Sequence, residues 1–204
     1  MDRRSAGGDD SVQRRGDATV IIGLAGAAGA GKNTVAERLL VAHQCVPLAF
    51  ADPLYEAVSV ITGLSVDELQ DRTRKERALG WISCSPRRLL QTLGTDWGRQ
   101  MIHPEIWVMS TMRRIEAHPE FNYCLTDVRF PNEAEAIKAR GGVVWRVTRA
   151  VGAGLDAAAA AHASEAGIPD RYIDLELAND GSVESLWRAV DAAIGSLQAA
   201  TIEA

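Results

Sequence analysis

Short apolar runs recur along the chain and alternate with more polar, amphipathic stretches. Five of these runs have the length of single strands, and the first is rich in β-branched residues and continuously apolar, as in a strand buried on both faces. The predicted strands are ATVIIGL (18–24), VPLAF (46–50), YCLTD (123–127), VVWRVTR (143–149) and YIDLEL (172–177). Continuous rather than alternating apolar character predicts a sheet that is covered by helices on both sides.

The stretches between these runs carry apolar residues at helical spacing. Residues 33–43 place Val35, Leu39 and Ala42 on one face, and residues 132–140 form a helix that ends at a glycine pair. A last helix begins near Ser182, and its apolar face consists of Val183, Leu186, Val190, Ile194 and Leu197. Strands alternating with helices predict a parallel sheet with right-handed crossovers.

A long helical segment after the second predicted strand interrupts this alternation. Residues 54–117 have mostly helical patterns. Ser85 is placed to cap one helix, and Pro86 occupies its first turn, where the missing N–H costs nothing. We expect Gly94 to interrupt that helix and a further helix to cover residues 105–117. The segment predicts a separate lobe that holds a substrate.

These patterns together predict an α/β fold of three layers, with a five-stranded parallel sheet flanked by helices. We expect one domain over residues 19–198, with the helical insert at 54–117. The alanine-rich region within 149–166 is expected to form a mobile lid. The polar residues 1–18 are predicted to be a disordered tail, and residues 199–204 a second, short tail.

Composition and charge narrow the possible functions. The chain has 204 residues, of which 47% are hydrophobic, and a net charge of −5, which argues against binding to a nucleic acid polymer. Three scattered cysteines, Cys45, Cys84 and Cys124, favour reduced thiols over a disulfide framework or zinc site. No run has the pattern of a membrane span or signal peptide, so we expect a cytoplasmic protein without membrane contact.

The candidate chemistry begins with a glycine-rich turn between the first strand and the first helix. Gly26, Gly31 and Lys32 have the spacing of a phosphate-binding loop, GxxxxGK. Glycines let successive N–H groups point at phosphate oxygens, the helix adds its positive end, and the lysine adds a compact charge. A dinucleotide fingerprint read from Gly29 would need glycine at Thr34. The expected ATP-binding residues are Gly26, Gly29, Ala30, Gly31, Lys32, Asn33 and Thr34.

Asn33 stands where a serine or threonine hydroxyl normally contacts Mg²⁺. Its amide oxygen could accept a hydrogen bond from a metal-bound water, and Thr34 offers a hydroxyl next to it. Asp127 follows a buried strand and is expected at the carboxyl edge of the sheet, where it could hold Mg²⁺ through water. Arg129 could then reach a phosphoryl group. The structural alternative for Asp127 and Arg129 is a helix cap or a salt bridge.

Positive charge is concentrated in the helical insert of this acidic chain. DRTRKER (71–77) and SPRRLLQTLGTDWGR (85–99) supply guanidinium groups suited to an anionic second substrate, although about half should be simply solvated. Arg87, Arg88 and Gln91 lie within about one turn and could grip a phosphate and a base edge. Lys75 and Arg99 belong to the same candidate substrate site. Trp97 and Trp107 could stack on a base or pack in the core.

Two further segments could complete such a site. Arg149 begins the expected lid, which would exclude water and add positive charge to the transferred group. His162, within that lid, is expected to be incidental. Asn179 and Gly181 belong to a turn before the last helix that could approach an adenine ring.

The ordered set of motifs resembles one family, the bacteriophage-type deoxynucleoside monophosphate kinases, relatives of the nucleoside monophosphate kinase group. The resemblance covers residues 19–197 and rests on GLAGAAGAGKNTVA, FADPL, SPRRLLQTLGTDWGR, TDVRFPNEAEAI, HASE and NDGS. Asp or Asn commonly follows the loop lysine in this family, which accounts for Asn33.

The resemblance implies specific roles for residues of the insert and of the sheet edge. Deoxynucleotide binding is implied for Arg87, Arg88, Gln91, Gly94, Thr95 and Trp107. Asp127, Arg129 and Glu133 would organise the transferred phosphate and Mg²⁺, with Arg149 in the lid and Asp52 orienting the acceptor.

We therefore predict an enzyme that transfers a phosphoryl group from ATP, with Mg²⁺, to deoxynucleoside 5′-monophosphates. Lys32, Asp127, Arg129 and Arg149 are the expected catalytic residues. The alternatives are a phosphomevalonate kinase-like enzyme and a non-catalytic nucleotide-binding switch. The partners are ATP and deoxynucleoside monophosphates, with a homodimer possible, and the location would be the host cytoplasm if the protein is phage-encoded.

Overall fold

The computed structural model describes residues 19–150 and 167–203, apart from the side chains of Arg72 and of residues 200–203. The predicted tail 1–18, His162 and all of the predicted lid beyond residue 150 lie outside the described residues. Five parallel strands form one sheet in the order β2-β3-β1-β4-β5. They are β1 (Ile21–Ala25), β2 (Cys45–Leu48), β3 (Asn122–Leu125), β4 (Val143–Thr148) and β5 (Leu175–Ala178). The predicted five-stranded parallel sheet is confirmed.

The central strand β1 is buried along its whole length, as its continuous apolar sequence predicts. It pairs with β3 on one side and β4 on the other, with Ile22 opposite Cys124 and Val143. Successive side chains of a strand point to opposite faces. Ile22 therefore packs into one core cluster and Ile21 into another.

Helices cover both faces of the sheet, so the three-layer prediction is also confirmed. On one face lie α1 (Lys32–His43) and α8 (Val183–Glu203), which contribute Val35, Leu39, Leu186 and Val190 to the core. On the other face lie α6 (Ile106–Ala117) and α7 (Pro131–Lys138), with Met112 and Ile137 among their buried residues. None of the described helices is both long and apolar enough to cross a membrane.

The insert between β2 and β3 is helical, as its patterns predict. It contains α2 (Asp52–Thr62), α3 (Val66–Gln70), α4 (Arg72–Glu76), α5 (Pro86–Gln91), a π-helix (Thr92–Ile102) and α6. Ser85 caps α5 by accepting from the Arg88 N–H, with Pro86 in the first turn. Val58, Leu69 and Leu90 form a small separate core, which makes the insert a lobe with its own packing.

The expectation that Gly94 interrupts this helical segment is wrong. The chain passes through Gly94 without a break, as part of the π-helix that follows α5 directly. Gly94 is buried, and a Cβ there would lie 3.2 Å from the Leu54 side chain, so the glycine is explained by close packing of two helices.

Three smaller expectations also differ from the structure. Strand β2 ends at Leu48 instead of residue 50, because Ala49 and Phe50 turn into α2. On α1 the third inward residue is Ala36, whereas Ala42 is exposed. Helix α8 continues to Glu203, through the segment expected to be a short tail.

Candidate active site

The glycine-rich turn leads from the end of β1 directly into the first residue of α1. Gly26, Gly29 and Gly31 have φ angles of 134°, 77° and 109°, in the left-handed region that glycine favours. No side chain caps α1, whose N-cap is Gly31. A helix leaves its first N–H groups without intrahelical acceptors, so this uncapped end suits an anion.

Two glycines of the turn are also required by close contacts. A Cβ on Gly26 would lie 2.2 Å from the Val147 carbonyl oxygen, on the neighbouring strand β4. A Cβ on Gly31 would lie 2.3 Å from Nδ2 of Asn179. The turn is therefore pressed against the ends of β4 and β5, and its shape is set by the sheet as well as by its own sequence.

The amine of Lys32 lies over the turn. Its Nζ donates to the carbonyl oxygens of Gly26 at 2.6 Å and Ala27 at 2.9 Å. These contacts fold the side chain back along the loop, so that its charge lies at the mouth of the turn. A phosphate bound by the loop would meet this charge there.

A cleft of about 680 Å³ opens beside the turn. It brings together five of the residues singled out from the sequence, namely Gly26, Ala30, Lys32, Arg129 and Arg149. Lys32 at the start of α1, Arg129 after β3 and Arg149 after β4 thus share one space, with a combined charge suited to a polyphosphate.

Arg146 also lines this cleft, and the sequence analysis missed it. Its guanidinium donates to Asp170 at 2.6 Å, to Glu176 at 3.0 Å and to the Ile168 carbonyl oxygen at 2.7 Å. The available signal was a lone charge inside the apolar run VVWRVTR. Arg146 ties the segment after residue 167 to strand β4.

Asn179 and Gly181 lie at the end of β5, next to the turn. The Asn179 amide donates to the Ala30 carbonyl oxygen at 2.8 Å, and its backbone N–H donates to Thr148 at 2.7 Å. Gly181 precedes α8, where a Cβ would lie 2.7 Å from the Ser185 hydroxyl oxygen. Asn179 therefore fastens the glycine-rich turn to the sheet.

Asp127 lies at the carboxyl edge of the sheet, as its place after β3 predicts. Its two carboxylate oxygens accept from the N–H groups of Phe50 at 2.7 Å and Ala51 at 3.1 Å. Asp52 lies close by and accepts from the Ala49 N–H at 2.7 Å. Burial raises the pKa of both carboxyl groups; repulsion by Asp52 adds to the rise at Asp127, and repulsion by Glu56 adds to the rise at Asp52.

Glu133 is buried and already engaged by the protein. Its Oε2 accepts from the N–H groups of Arg129 at 2.8 Å and Phe130 at 3.1 Å, while Oε1 lies 3.4 Å from Nη2 of Arg99. Burial, with a contribution from Asp127, raises the pKa of Glu133 to about 7 although the two N–H groups and Arg99 favour the anion. The resemblance implies that Glu133 helps to organise the transferred phosphate and Mg²⁺; in the structure, its two carboxylate oxygens face protein groups.

Trp107 packs in the core, which is one of the two possibilities that the sequence left open, whereas the resemblance implies nucleotide binding. The indole is buried, and its Nε1 donates to the Gly94 carbonyl oxygen at 2.8 Å. A Cβ on Gly98 would lie 2.5 Å from the indole ring, so the ring packs closely against the π-helix. Trp107 holds the helix, whereas Trp97 is partly exposed.

The remaining insert residues lie on the surface of the helical lobe. Lys75 donates to the Tyr55 hydroxyl and lies over its ring, and Arg87 pairs with Glu76. Arg88, Gln91 and Thr95 are exposed. None of these is among the described residues that line the cleft beside the glycine-rich turn.

The described residues contain no group of three or more His, Cys, Asp or Glu side chains able to hold a metal ion. Mg²⁺ is usually bound by one or two protein groups together with waters and substrate phosphates. Asn33, Thr34 and Asp127 are oxygen donors of that kind, and each Asp127 oxygen accepts only one backbone hydrogen bond. The donor set therefore fits a nucleotide-bound Mg²⁺ held largely through water.

Comparison with known proteins gives matches that extend over most of the chain. The family model for deoxynucleotide monophosphate kinase matches residues 61–190. A protein of Acanthamoeba polyphaga mimivirus, whose name provisionally assigns it to the deoxynucleotide monophosphate kinases, is 30% identical over 84% of this chain and 94% of its own. The deoxynucleoside-5′-monophosphate kinase of Escherichia phage T5 is 28% identical over 79% of this chain and 90% of its own.

A solved structure agrees in fold. The Thermus thermophilus protein TT1252 superposes with a TM-score of 0.53 and 21% identity, over 89% of this chain and 99% of its own. Sequence and structure matches thus cover both the sheet and the helical insert. The chain is an enzyme of the deoxynucleotide monophosphate kinase family.

Proposed function

We propose that this enzyme transfers the terminal phosphoryl group of ATP to a deoxynucleoside 5′-monophosphate, with formation of the diphosphate and ADP. The observation that carries the proposal is the uncapped, glycine-rich entry into α1, with Lys32 at its mouth and Arg129 and Arg149 in the same cleft. The names of the mimivirus and phage T5 relatives support the acceptor class.

The loop from Gly26 to Thr34 would hold the polyphosphate of ATP. Its N–H groups and the positive end of α1 would bind phosphate oxygens, and Lys32 would exchange its loop carbonyls for a phosphate. Asn179 and Gly181 lie at the end of β5, where an adenine could approach. Phosphoryl transfer needs mainly positioning and charge stabilisation, which these groups supply.

The acceptor would be held between the helical insert and the sheet edge. The exposed side chains of Arg88, Gln91 and Thr95 are available to a nucleotide, and Lys75 and Arg87 would release their present partners to bind it. Asp52 would orient the acceptor from the start of α2. Arg129 would stabilise the charge that develops on the transferred group.

Magnesium belongs to the proposal as the partner of ATP. Asn33, Thr34 and Asp127 would hold it, largely through water. When bound, it neutralises charge on the transferred phosphoryl group. Asp127 is kept in place for this role by its two backbone hydrogen bonds to the start of the insert.

The same proposal extends to the role of the insert, the location of the reaction and the oligomeric state of the protein. The insert at 54–117 would be the acceptor lobe, and Arg149 would add positive charge to the transferred group. We expect the reaction to take place in the cytoplasm, where free nucleotides occur. A homodimer is supported by the exposed Met101, Ile102 and Met109, beside a groove of about 410 Å³, and sedimentation velocity tests it.

A panel of the common deoxynucleoside monophosphates, assayed for ADP formation with ATP and Mg²⁺, tests the proposal. Turnover with at least one of them, lost in Lys32→Ala with the fold retained by circular dichroism, is the expected result. Phosphomevalonate in the same assay separates the alternative acceptor. Turnover with phosphomevalonate alone, or ATP binding without any turnover, would contradict the proposal.

A further inference from the structure

Glu133 joins two parts of the site that are distant in sequence. The residue is 2% exposed, and among the described residues it is the one acidic residue that is almost fully enclosed. One oxygen binds the backbone of Arg129 and Phe130, and the other faces Arg99 of the insert. Both oxygens are therefore directed at protein groups.

Arg99 is held from two sides in this position. Its guanidinium lies 4.5 Å from the centre of the Phe130 ring and 3.4 Å from Glu133. The two partners come from the same short segment that carries Arg129. Arg99 is thereby one link between the insert and the segment after β3, beside the hydrogen bonds from Asn132 to Glu105.

The π-helix sets the direction of the Arg99 side chain, toward the segment after β3 that carries Phe130 and Glu133. A π-helix repeats at i→i+5, so its residues face different directions from those of an α-helix of the same sequence. Trp107 fastens the helix through the Gly94 carbonyl group, and Gly98, adjacent to Arg99, lets the indole approach. This register is built into the packing of the insert.

We propose that Glu133 is a positioning residue that couples the backbone of Arg129 to Arg99 of the insert, and that it does not bind phosphate or metal itself. This inference rests on the proposed function, because the link between Arg129, Glu133 and Arg99 is expected to affect the rate of phosphoryl transfer. Movement of the insert with a bound acceptor then moves Arg129 into place, and loss of the coupling misplaces it.

The test is a double-mutant cycle on turnover at pH 8, where a carboxyl group with a pKa of about 7 is mostly ionised. Glu133→Gln keeps an oxygen that can accept from the two N–H groups but loses the charge facing Arg99. Arg99→Met removes the other partner. Glu116→Gln, which breaks an exposed pair with Arg140 near the end of α7, is the matched control.

We expect Glu133→Gln and Arg99→Met each to lower kcat roughly ten- to hundredfold, as a small misplacement of a catalytic group can. The double variant should be no worse than the more damaging single one. The KM for ATP and the Mg²⁺ concentration for half-maximal rate should stay unchanged, and Glu116→Gln should match the wild type. A purely structural role would lower thermal stability without this non-additive loss of kcat.

Three results would overturn the inference while leaving the proposed function intact. They are additive losses in the double variant, a raised Mg²⁺ requirement in Glu133→Gln, and wild-type kcat in Glu133→Gln. A wild-type protein that phosphorylates no deoxynucleoside monophosphate would instead overturn the proposed function and this inference together.

Discussion

The side-chain amide of Asn179 lies 2.8 Å from the carbonyl oxygen of Ala30 and donates a hydrogen bond to it. This contact joins the end of β5 to the glycine-rich turn, across 149 residues of chain. A loop that must present N–H groups to phosphate loses affinity if it has to be ordered at the moment of binding. The contact should therefore favour ATP binding, because it orders the turn before the ligand arrives.

Asn179→Ala should weaken ATP binding by roughly fivefold to tenfold, which corresponds to the net value of about one hydrogen bond. Isothermal titration with a non-hydrolysable ATP analogue measures this. Asn179→Asp is the companion variant, because it keeps the size but replaces the donor with an oxygen that repels the Ala30 carbonyl. Unchanged affinity in both variants would mean that the loop is ordered by other contacts.

Gly31→Ala should abolish tight ATP binding. Its φ of 109° is strained for alanine, and the new Cβ would lie 2.3 Å from the Asn179 amide nitrogen. Gly63→Ala is the matched control, since Gly63 has a φ of 73° but nothing within 4 Å of a Cβ. Both variants should lose about 1–2 kcal/mol of stability through backbone strain, whereas Gly31→Ala alone should lose ATP affinity. Equal ATP affinity in the two variants would contradict this.

Arg129→Ala should lower kcat by about 10³–10⁵, the range found for an arginine that stabilises transferring phosphoryl charge. The KM for ATP should change little, because the glycine-rich turn is untouched. Arg140→Ala, an exposed arginine after α7 that pairs with Glu116, is the control and should keep normal turnover. Steady-state kinetics with saturating ATP provide the measurement, and a loss below tenfold would remove Arg129 from the chemistry.

Trp107→Phe should reduce the free energy of unfolding by about 1–3 kcal/mol, because it removes the buried hydrogen bond from the indole N–H to the Gly94 carbonyl group. Trp187→Phe is the matched control, since the buried Nε1 of Trp187 has no hydrogen-bond partner among the described residues. Urea denaturation compares the two variants. If both lose the same stability, the effect comes from ring size and not from the hydrogen bond.

Asp191 gives the protein a predictable dependence of stability on pH. Its hydrogen bonds with Arg38 and His43, which join α8 to α1, lower the pKa of its carboxyl group to about 2. A carboxyl group with a lowered folded-state pKa stabilises the fold above its unfolded value near 3.8. That stabilisation is lost as the pH falls through about 2.

Asp191→Asn should therefore be less stable than the wild type at pH 7, and the difference should shrink between about pH 4 and pH 2. Urea denaturation across this range provides the measurement. A difference that is independent of pH would show that packing of the side chain, and not its charge, accounts for the effect.

Local sequence determined the main elements and the family of this protein. The apolar runs predict the five strands, most clearly β1, because a strand buried on both faces must be apolar throughout; the GxxxxGK spacing identifies the turn because φ angles in the left-handed region favour glycine. The order of the motifs indicated the deoxynucleotide monophosphate kinase family, which the comparisons confirm. Asp127 was placed at the sheet edge for the same reason, as a residue following a parallel strand.

Tertiary structure decided which side chains face the cleft and which serve the fold. Arg146 lines the cleft although it sits inside a buried strand, and Trp107 and Glu133 are enclosed by protein although their motifs suggest ligand contact. The passage of a π-helix through Gly94 depends on a tryptophan 13 residues further along the chain. Such relationships join positions remote in sequence, and hydrophobic periodicity and short motifs describe only neighbouring ones.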